Sequence, residues 1–211
     1  MKTIIFSDLH GNLPALECLM KLYPKDNKWI SLGDNVNYGP WSNECVQILK
    51  NELNCICVRG NHEKYFLNGM YDGKNSIVRS FFEISYPSFN QFDILKEYQD
   101  VIQYDKFVLT HTINDKYIFP DTKIVIKNNY ILGHSHVQFQ RLISNYILIN
   151  PGSLGQNRKK INRGEYLLFD HIKKTYHLKF LEFDLNLLIT EMKKKKYPKE
   201  CIEYYLRKKN D

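Results

Sequence analysis

The sequence predicts an α/β fold with two facing sheets, and three observations carry that prediction. Apolar runs alternate with helical patterns from Thr3 to Val58, the second half is dense in short strands, and no repeat or low-complexity tract interrupts either half. At 211 residues the chain is long enough to bury a core of its own, and it reads as one domain, 1–211.

Residues 3–6 predict a strand, 13–22 a helix, 29–32 a strand, 44–53 a helix and 55–58 a strand. This βαβαβ order implies parallel strands with crossover helices, and ligands of such sheets bind at the carboxyl ends of the strands. Residues 63–100 are helical and loop-rich, with aromatics that suit a core or a wall. Segments 107–110, 124–126, 130–132, 139–143, 146–149, 166–169 and 176–183 read as further strands, which a second sheet facing the first would accommodate. Two helices, 185–196 and 198–209, close the pattern, with Pro198 suited to a first turn.

The net charge of +7 is unevenly spread. Residues 1–157 hold 15 Lys+Arg against 15 Asp+Glu, so the excess lies entirely in the last quarter, which includes the basic C-terminal helices of about 185–211. A lysine run at Lys193–Lys196 suits either a solvated helix end or contact with nucleic acid. Five cysteines without Cys-x-x-Cys spacing favour reduced thiols over a disulfide framework. The beginning has the pattern of neither a secretory signal nor a transit peptide, and no apolar run reaches a membrane span, so a cytoplasmic protein without membrane contact is expected. Leu187, Leu188, Ile202 and Leu206 give the last helices an apolar face that either covers a sheet edge or joins a second subunit as a dimer.

Polar clusters cap the predicted strands. Phe6-Ser7 runs into Asp8-Leu9-His10-Gly11-Asn12, Leu32 into Gly33-Asp34-Asn35, and Val58 into Arg59-Gly60-Asn61-His62-Glu63. Later strands deliver His111 and Gly133-His134-Ser135-His136. Parallel strands would gather Asp8, His10, Asp34, Asn61 and His62 on one rim. A mixed oxygen and nitrogen set without thiolates suits manganese, iron or zinc in a working site better than a structural zinc cage. Seven ligand candidates exceed what one ion needs. Two ions about 3.5 to 4 Å apart suit in-line displacement at phosphorus, and Asp34, central on the rim and preceded by a glycine, is the candidate bridge.

These motifs, in this order, resemble those of the calcineurin-like metallophosphoesterase superfamily, from Thr3 to about Gly155. The stretches FSDLHGNLPALE, GDNVNYGP, VRGNHE and NPGSLGQNR are most similar to its small bacterial and archaeal phosphodiesterase branch, which includes proteins likened to diadenosine tetraphosphatase. The resemblance implies a four-layer αββα sandwich, two mixed sheets flanked by helices. It implies two divalent ions, manganese first, with iron, zinc, nickel or cobalt as alternatives. Asp8, His10 and His136 would hold one ion and Asn61, His111 and His134 the other, with Asp34 shared. His62 would face the substrate rather than a metal, and a metal-bridging hydroxide would attack phosphorus.

For substrate contacts the expectation falls on Asn12, Asn35 and Arg158, with Asn12 equally suited to capping the helix that begins beside it. Asn37 and Tyr38 stand where protein Ser/Thr phosphatases of the superfamily carry aspartate and arginine, which argues against that activity. The expected function is hydrolysis of a phosphodiester or nucleotide-type substrate, a phosphorylated small molecule or a nucleic-acid end. A phosphomonoesterase is the first alternative, and a non-catalytic scaffold, as in the retromer small subunit of similar fold, the second. His171 and His177 are expected to be structural.

Overall fold

A computed structural model describes residues 2–210; the expected final residue of the basic helical region, Asp211, lies outside them. Strands β1 (Lys2–Phe6), β2 (Lys28–Ser31) and β3 (Ile56–Cys57) pair in parallel, with Ile5 opposite Ile30 and Ile30 opposite Ile56. Strands β9 (Arg163–Asp170) and β10 (Thr175–Glu182) extend this sheet antiparallel on the β1 side, giving the order β10-β9-β1-β2-β3. The second sheet has the order β4-β5-β6-β8-β7, built from Val101–Tyr104, Phe107–Thr110, Asn129–Leu132, Tyr146–Pro151 and Gln138–Ile143. Its three central strands, β5, β6 and β8, are parallel.

Between the sheets lies a dry layer of Ile5, Ile30, Val58, Phe107, Leu109, Ile131, Ile149 and Leu167. Each such side chain contributes about 1.5–3 kcal/mol by leaving water. At its margin Thr3 of β1, Tyr104 of β4 and His171 share hydrogen bonds, Thr3 Oγ1 lying 2.6 Å from the tyrosine oxygen and 2.8 Å from His171 Nε2. His171 therefore ties the two sheets together.

The helices cover the outer face of the first sheet. Helix α1 (Leu13–Leu22) starts where Asn12 Oδ1 accepts from Ala15 N, and it buries Pro14, Ala15, Leu16 and Leu19. Helices α2 (Ser42–Gln47), α3 (Asn61–Asn68), α4 (Ser76–Ser85) and α5 (Phe92–Lys96) come next, and α6 (Leu185–Lys194) and α7 (Lys199–Asn210) close the layer. The outer face of the second sheet is sealed instead by the irregular segment 113–126, through Ile118 and Ile126 against Leu132, Phe139 and Leu148.

Several local expectations need correction. Residues 124–126 form no strand: Ile126 is buried and Ile124 partly so against the same cluster, while Val125 is 87% exposed, so the β-branched run lies as an irregular strap over the sheet. The expected helix 44–53 begins earlier and loosens into a π-helical turn at Ile48–Glu52. Of the apolar face of the last helices, Leu188 is fully buried and Ile202 packs against the core, while Leu187 and Leu206 are exposed. Lys195 of the lysine run donates to the Pro40 carbonyl at 2.5 Å. Among the described residues no helix is long and apolar enough to cross a membrane.

Candidate metal centre

The loops after β1 and β2 are stitched side by side where the regular ladder stops. Asp8 N donates to Gly33 O at 2.9 Å, His10 N to Asp34 O at 2.9 Å and Gly11 N to Asn35 O at 2.8 Å. This holds the two motif loops in register beyond the sheet. The backbone is left-handed at Asp8, His10, Asp34, His134 and His136, with φ between 52° and 67°. Asp and His tolerate that region at some cost, and its clustering marks a strained, over-determined site.

Two lobes result. In the first, His136 Nε2 lies 3.2 Å from Asp8 Oδ1 and 3.4 Å from His10 Nε2. In the second, His111 Nε2 lies 3.2 Å from Asp34 Oδ2, 3.1 Å from Asn61 Oδ1 and 3.2 Å from His134 Nδ1. Asp34 also groups with His10 and His62, ligand-type atoms lying within 4.8 Å of one another, so its carboxylate stands between the lobes.

The outer nitrogens of three imidazoles meet backbone carbonyls. His111 Nδ1 faces Leu32 O at 2.8 Å, His136 Nδ1 faces Gln156 O at 2.8 Å and His10 Nδ1 faces Val36 O at 3.3 Å. A carbonyl can only accept, so each Nδ1 carries a proton and each ring directs Nε2 inward, where it can offer a lone pair to a cation. Asp8 Oδ1 is buried, 3.2 Å from one of these inward nitrogens and without a hydrogen-bond partner among the described residues. Carboxylates and inward ring nitrogens converging in this way suit a cation, and these residues fit divalent metal ions.

The electrostatics agree. Burial alone would raise the carboxyls, but His136 beside Asp8, and His111 and His62 beside Asp34, hold both well below the usual carboxylate range. Burial would lower His111, but Asp34 outweighs it and raises the imidazole to about 10. In the metal-free protein a proton thus stands in for a cation. Burial and the neighbouring His111 depress His134 to about 4, and burial and His62 depress His10.

His62 sits at the start of α3, its backbone N donating to Asp34 Oδ1 at 2.8 Å and its Nε2 3.9 Å from Asp34 Oδ2. Its Nδ1 meets Asn37 Nδ2 at 3.0 Å, while Asn37 Oδ1 accepts from Tyr38 N at 2.8 Å. That backbone donor fixes the amide, so Asn37 donates to His62 Nδ1 and the neutral ring carries its proton on Nε2. Burial lowers the His62 pKa against the opposing pull of Asp34.

Glu63 is a positioning residue to which sequence reasoning assigns no role. It is fully buried, and its carboxylate accepts from Asp34 N at 2.8 Å, Asn35 N at 2.6 Å and Gly60 N at 2.7 Å. Its place three residues after the Gly60 helix cap is the signal that identifies it. Burial and the Asp34 charge raise its carboxyl to about 7.

The expected substrate contacts separate. Asn12 is buried, capping α1 and donating to Gly155 O at 3.1 Å. Asn35 is buried and accepts from Ser31 Oγ at 2.7 Å. Arg158 is exposed and anchored by Nε donating to Ser135 O at 2.6 Å. It lines a cavity of about 300 Å³ beside His136, together with Lys159, Lys160, Arg163 and Glu165. On the other flank a cavity of about 570 Å³ reaches Asn61, His111 and His134.

Comparison with known proteins gives consistent relatives. Residues 1–187 match the family described as calcineurin-like phosphoesterase. An uncharacterised protein of Methanocaldococcus jannaschii is 27% identical over 227 residues, covering 92% of this chain and 93% of its own. The solved metallophosphoesterase of Sphaerobacter thermophilus superposes with a TM-score of 0.78 at 20% identity, over 99% of this chain and 100% of that one. A structure described as an archaeal phosphodiesterase superposes with a TM-score of 0.52 at 21% identity, over 86% of this chain and 100% of that one. At these identities the structural likeness speaks for the fold.

Proposed function

Because the chain belongs to the calcineurin-like phosphoesterase family, by a match over most of its length, we propose that it is a phosphodiesterase built on two divalent ions. The observation that carries this is the position of Asp34 between two ligand lobes. Asp8, His10 and His136 would hold one ion, Asn61, His111 and His134 the other, and Asp34 both. Two such ions, manganese first, would neutralise phosphoryl oxygens and lower the pKa of a water at the site.

The protein's own groups do the rest. Leu32 O, Val36 O and Gln156 O fix the three rings that face inward. His62, neutral and protonated on Nε2, would offer that N–H to a phosphoryl or leaving oxygen. Asn37 keeps the proton there by donating to the other nitrogen. A cationic imidazolium at this position would need an acceptor where Asn37 supplies a donor, which favours hydrogen bonding over full proton transfer as the contribution of His62.

Two features support a diester over a phosphoprotein substrate. Tyr38 offers no guanidinium clamp for a terminal phosphate, and its ring packs on His10 at 4.7 Å between centroids. The cations beside His136 suit a substrate whose anionic chain continues past the reacting phosphorus.

The test is hydrolysis of bis(p-nitrophenyl) phosphate beside p-nitrophenyl phosphate by metal-stripped protein, with and without Mn²⁺. Metal-dependent diester cleavage is expected, with a loss of at least about 100-fold in Asp34→Asn, since the variant removes the shared charge. Preference for the monoester would replace the reading with a phosphomonoesterase.

A further inference from the structure

The two cavities flanking the metal centre differ in chemistry. The one beside His136 carries Arg158, Lys159, Lys160 and Arg163 against a single acid, Glu165. The larger one, on the His111 and His134 side, has nearly balanced charge, Arg59 and Lys64 against Asp72, Asp100 and Asp115. Arg59 is further spent on Asp100 and on the carbonyl of Tyr98. What distinguishes this cavity is its rings.

Tyr117 stacks on His134 with centroids 4.0 Å apart and planes 20° from parallel, yet remains 53% exposed. On the α3 side Tyr65 lines the same cavity and meets His62 edge-on at 5.6 Å. Tyr65 and Tyr117 thus border the same space, one beside His62 and the other beside His134.

Tyr117 is not on a loose loop. Asn114 and Asp115 both have left-handed backbones, with φ of 54° and 53°, in a tight turn closed by a bridge between Ile113 and Lys116. Ile118, next in sequence, is 1% exposed and anchors the segment in the outer core. Arg141 clamps the adjoining residues 120–122, donating to Pro120 O at 2.7 Å and Thr122 O at 2.6 Å. With Arg158 5.8 Å from its ring centroid and Phe119 beside it, Tyr117 presents a large aromatic ring half in water at the lip of the site, a surface suited to stacking.

We propose that this cavity is a nucleobase slot: the substrate's flat, uncharged heterocycle seats against Tyr117 and Tyr65, and its anionic chain leaves past His136 toward Arg158. The inference rests on the phosphodiesterase reading and narrows it to nucleotide diesters, with Tyr117 as the residue that sets specificity. The alternative role for Tyr117 is to prop His134, and the two roles separate experimentally.

The experiment uses the full Mn²⁺-loaded chain and two diesters with one leaving group, the p-nitrophenyl ester of thymidine 5′-monophosphate and methyl p-nitrophenyl phosphate. Wild type is expected to favour the thymidyl ester by about tenfold in kcat/KM, the scale of one base on one aromatic ring. That ratio should fall toward one in Tyr117→Ala and persist in Tyr117→Phe, which keeps the ring. A prop for His134 lowers both esters alike and leaves the ratio unchanged; that result, or no preference in wild type, overturns the slot. If neither ester turns over, the phosphodiesterase reading has failed and calorimetry decides the slot separately. Tighter binding of thymidine 5′-monophosphate than of ribose 5-phosphate, lost in Tyr117→Ala, supports it, and equal affinities overturn it.

Discussion

Gly60→Ala isolates the geometry on which the site depends. Gly60 has φ −89° and ψ −178°, an extended backbone that any residue adopts, so alanine meets no conformational penalty. A Cβ there would stand 2.6 Å from Asp34 N and 2.8 Å from Asp34 Cγ, and closer still to Oδ1. Ordinary contact begins near 3.4 Å, so Asp34 or the Gly60 backbone must give by at least 0.8 Å, which is 3.4 − 2.6. Neither moves freely: Asp34 N and Gly60 N are both bonded to Glu63 Oε2, and Asp34 Oδ1 accepts from His62 N. Overpacking of this kind costs about 1–3 kcal/mol, partly offset by about 0.4–1 kcal/mol from the stiffer unfolded chain. For a chain of this size the net loss lowers Tm by about 2–8 °C. Displacing the shared carboxylate should weaken Mn²⁺ binding by about 10- to 100-fold. Thermal unfolding and a Mn²⁺ titration read the two effects. Wild-type Mn²⁺ affinity in a folded Gly60→Ala protein would refute the claim that the absence of a side chain at Gly60 positions Asp34.

Two further predictions concern protons. In the metal-free protein His111 is raised to about 10, so its pairing with Asp34 contributes stability that is fully present below about pH 6.5 and is lost as pH rises through about 10. A metal must displace that proton, so Mn²⁺ uptake at pH 8 should release about one proton from this group, seen as a buffer-dependent heat in calorimetry; equal heats in buffers of different ionisation enthalpy would contradict it. Asn37→Asp replaces the donor facing His62 Nδ1 with an acceptor, which stabilises the imidazolium and should move the His62-dependent limb of the pH–rate profile upward by about one unit or more. A superimposable profile would mean that Asn37 does not set the protonation of His62.

The ligand candidates were legible because chain topology does the gathering. Three parallel strands ending in Asp-x-His, Gly-Asp and Gly-Asn-His have nowhere to put those groups except one rim, and Asp8, His10, Asp34, Asn61 and His62 do meet there. What escaped was set by packing between distant segments. Strand β4 has only four residues, Val-Ile-Gln-Tyr, and pairs with β5 through a tight connection that composition does not announce. Residues 124–126 have a strand's composition but lie over the outer face of the second sheet, where Ile126 and Ile124 pack without a strand partner. The carbonyls of Leu32, Val36 and Gln156 carry no side-chain signal at all, although they set the direction of three imidazoles.

Specificity resides where packing leaves freedom. Asp8, His10, Asp34, His134 and His136 hold left-handed backbones, a strain that persists only because the neighbouring loops over-determine it through bonds such as Asp8 N to Gly33 O and His134 N to Asp8 Oδ2. A centre so constrained has little freedom to vary without losing the fold around it. The groups one layer out are under no such backbone constraint: Tyr117 meets the lobes through its ring on His134, and Arg158 reaches the site's edge through the Ser135 carbonyl and the rings of Tyr117 and Phe119. Substitution at either removes no ligand atom while changing the surroundings of the site. The rigid rim therefore suits phosphoester chemistry in general, and on the reading proposed above the choice of substrate falls to the two flanking cavities, one aromatic and near neutral, the other cationic.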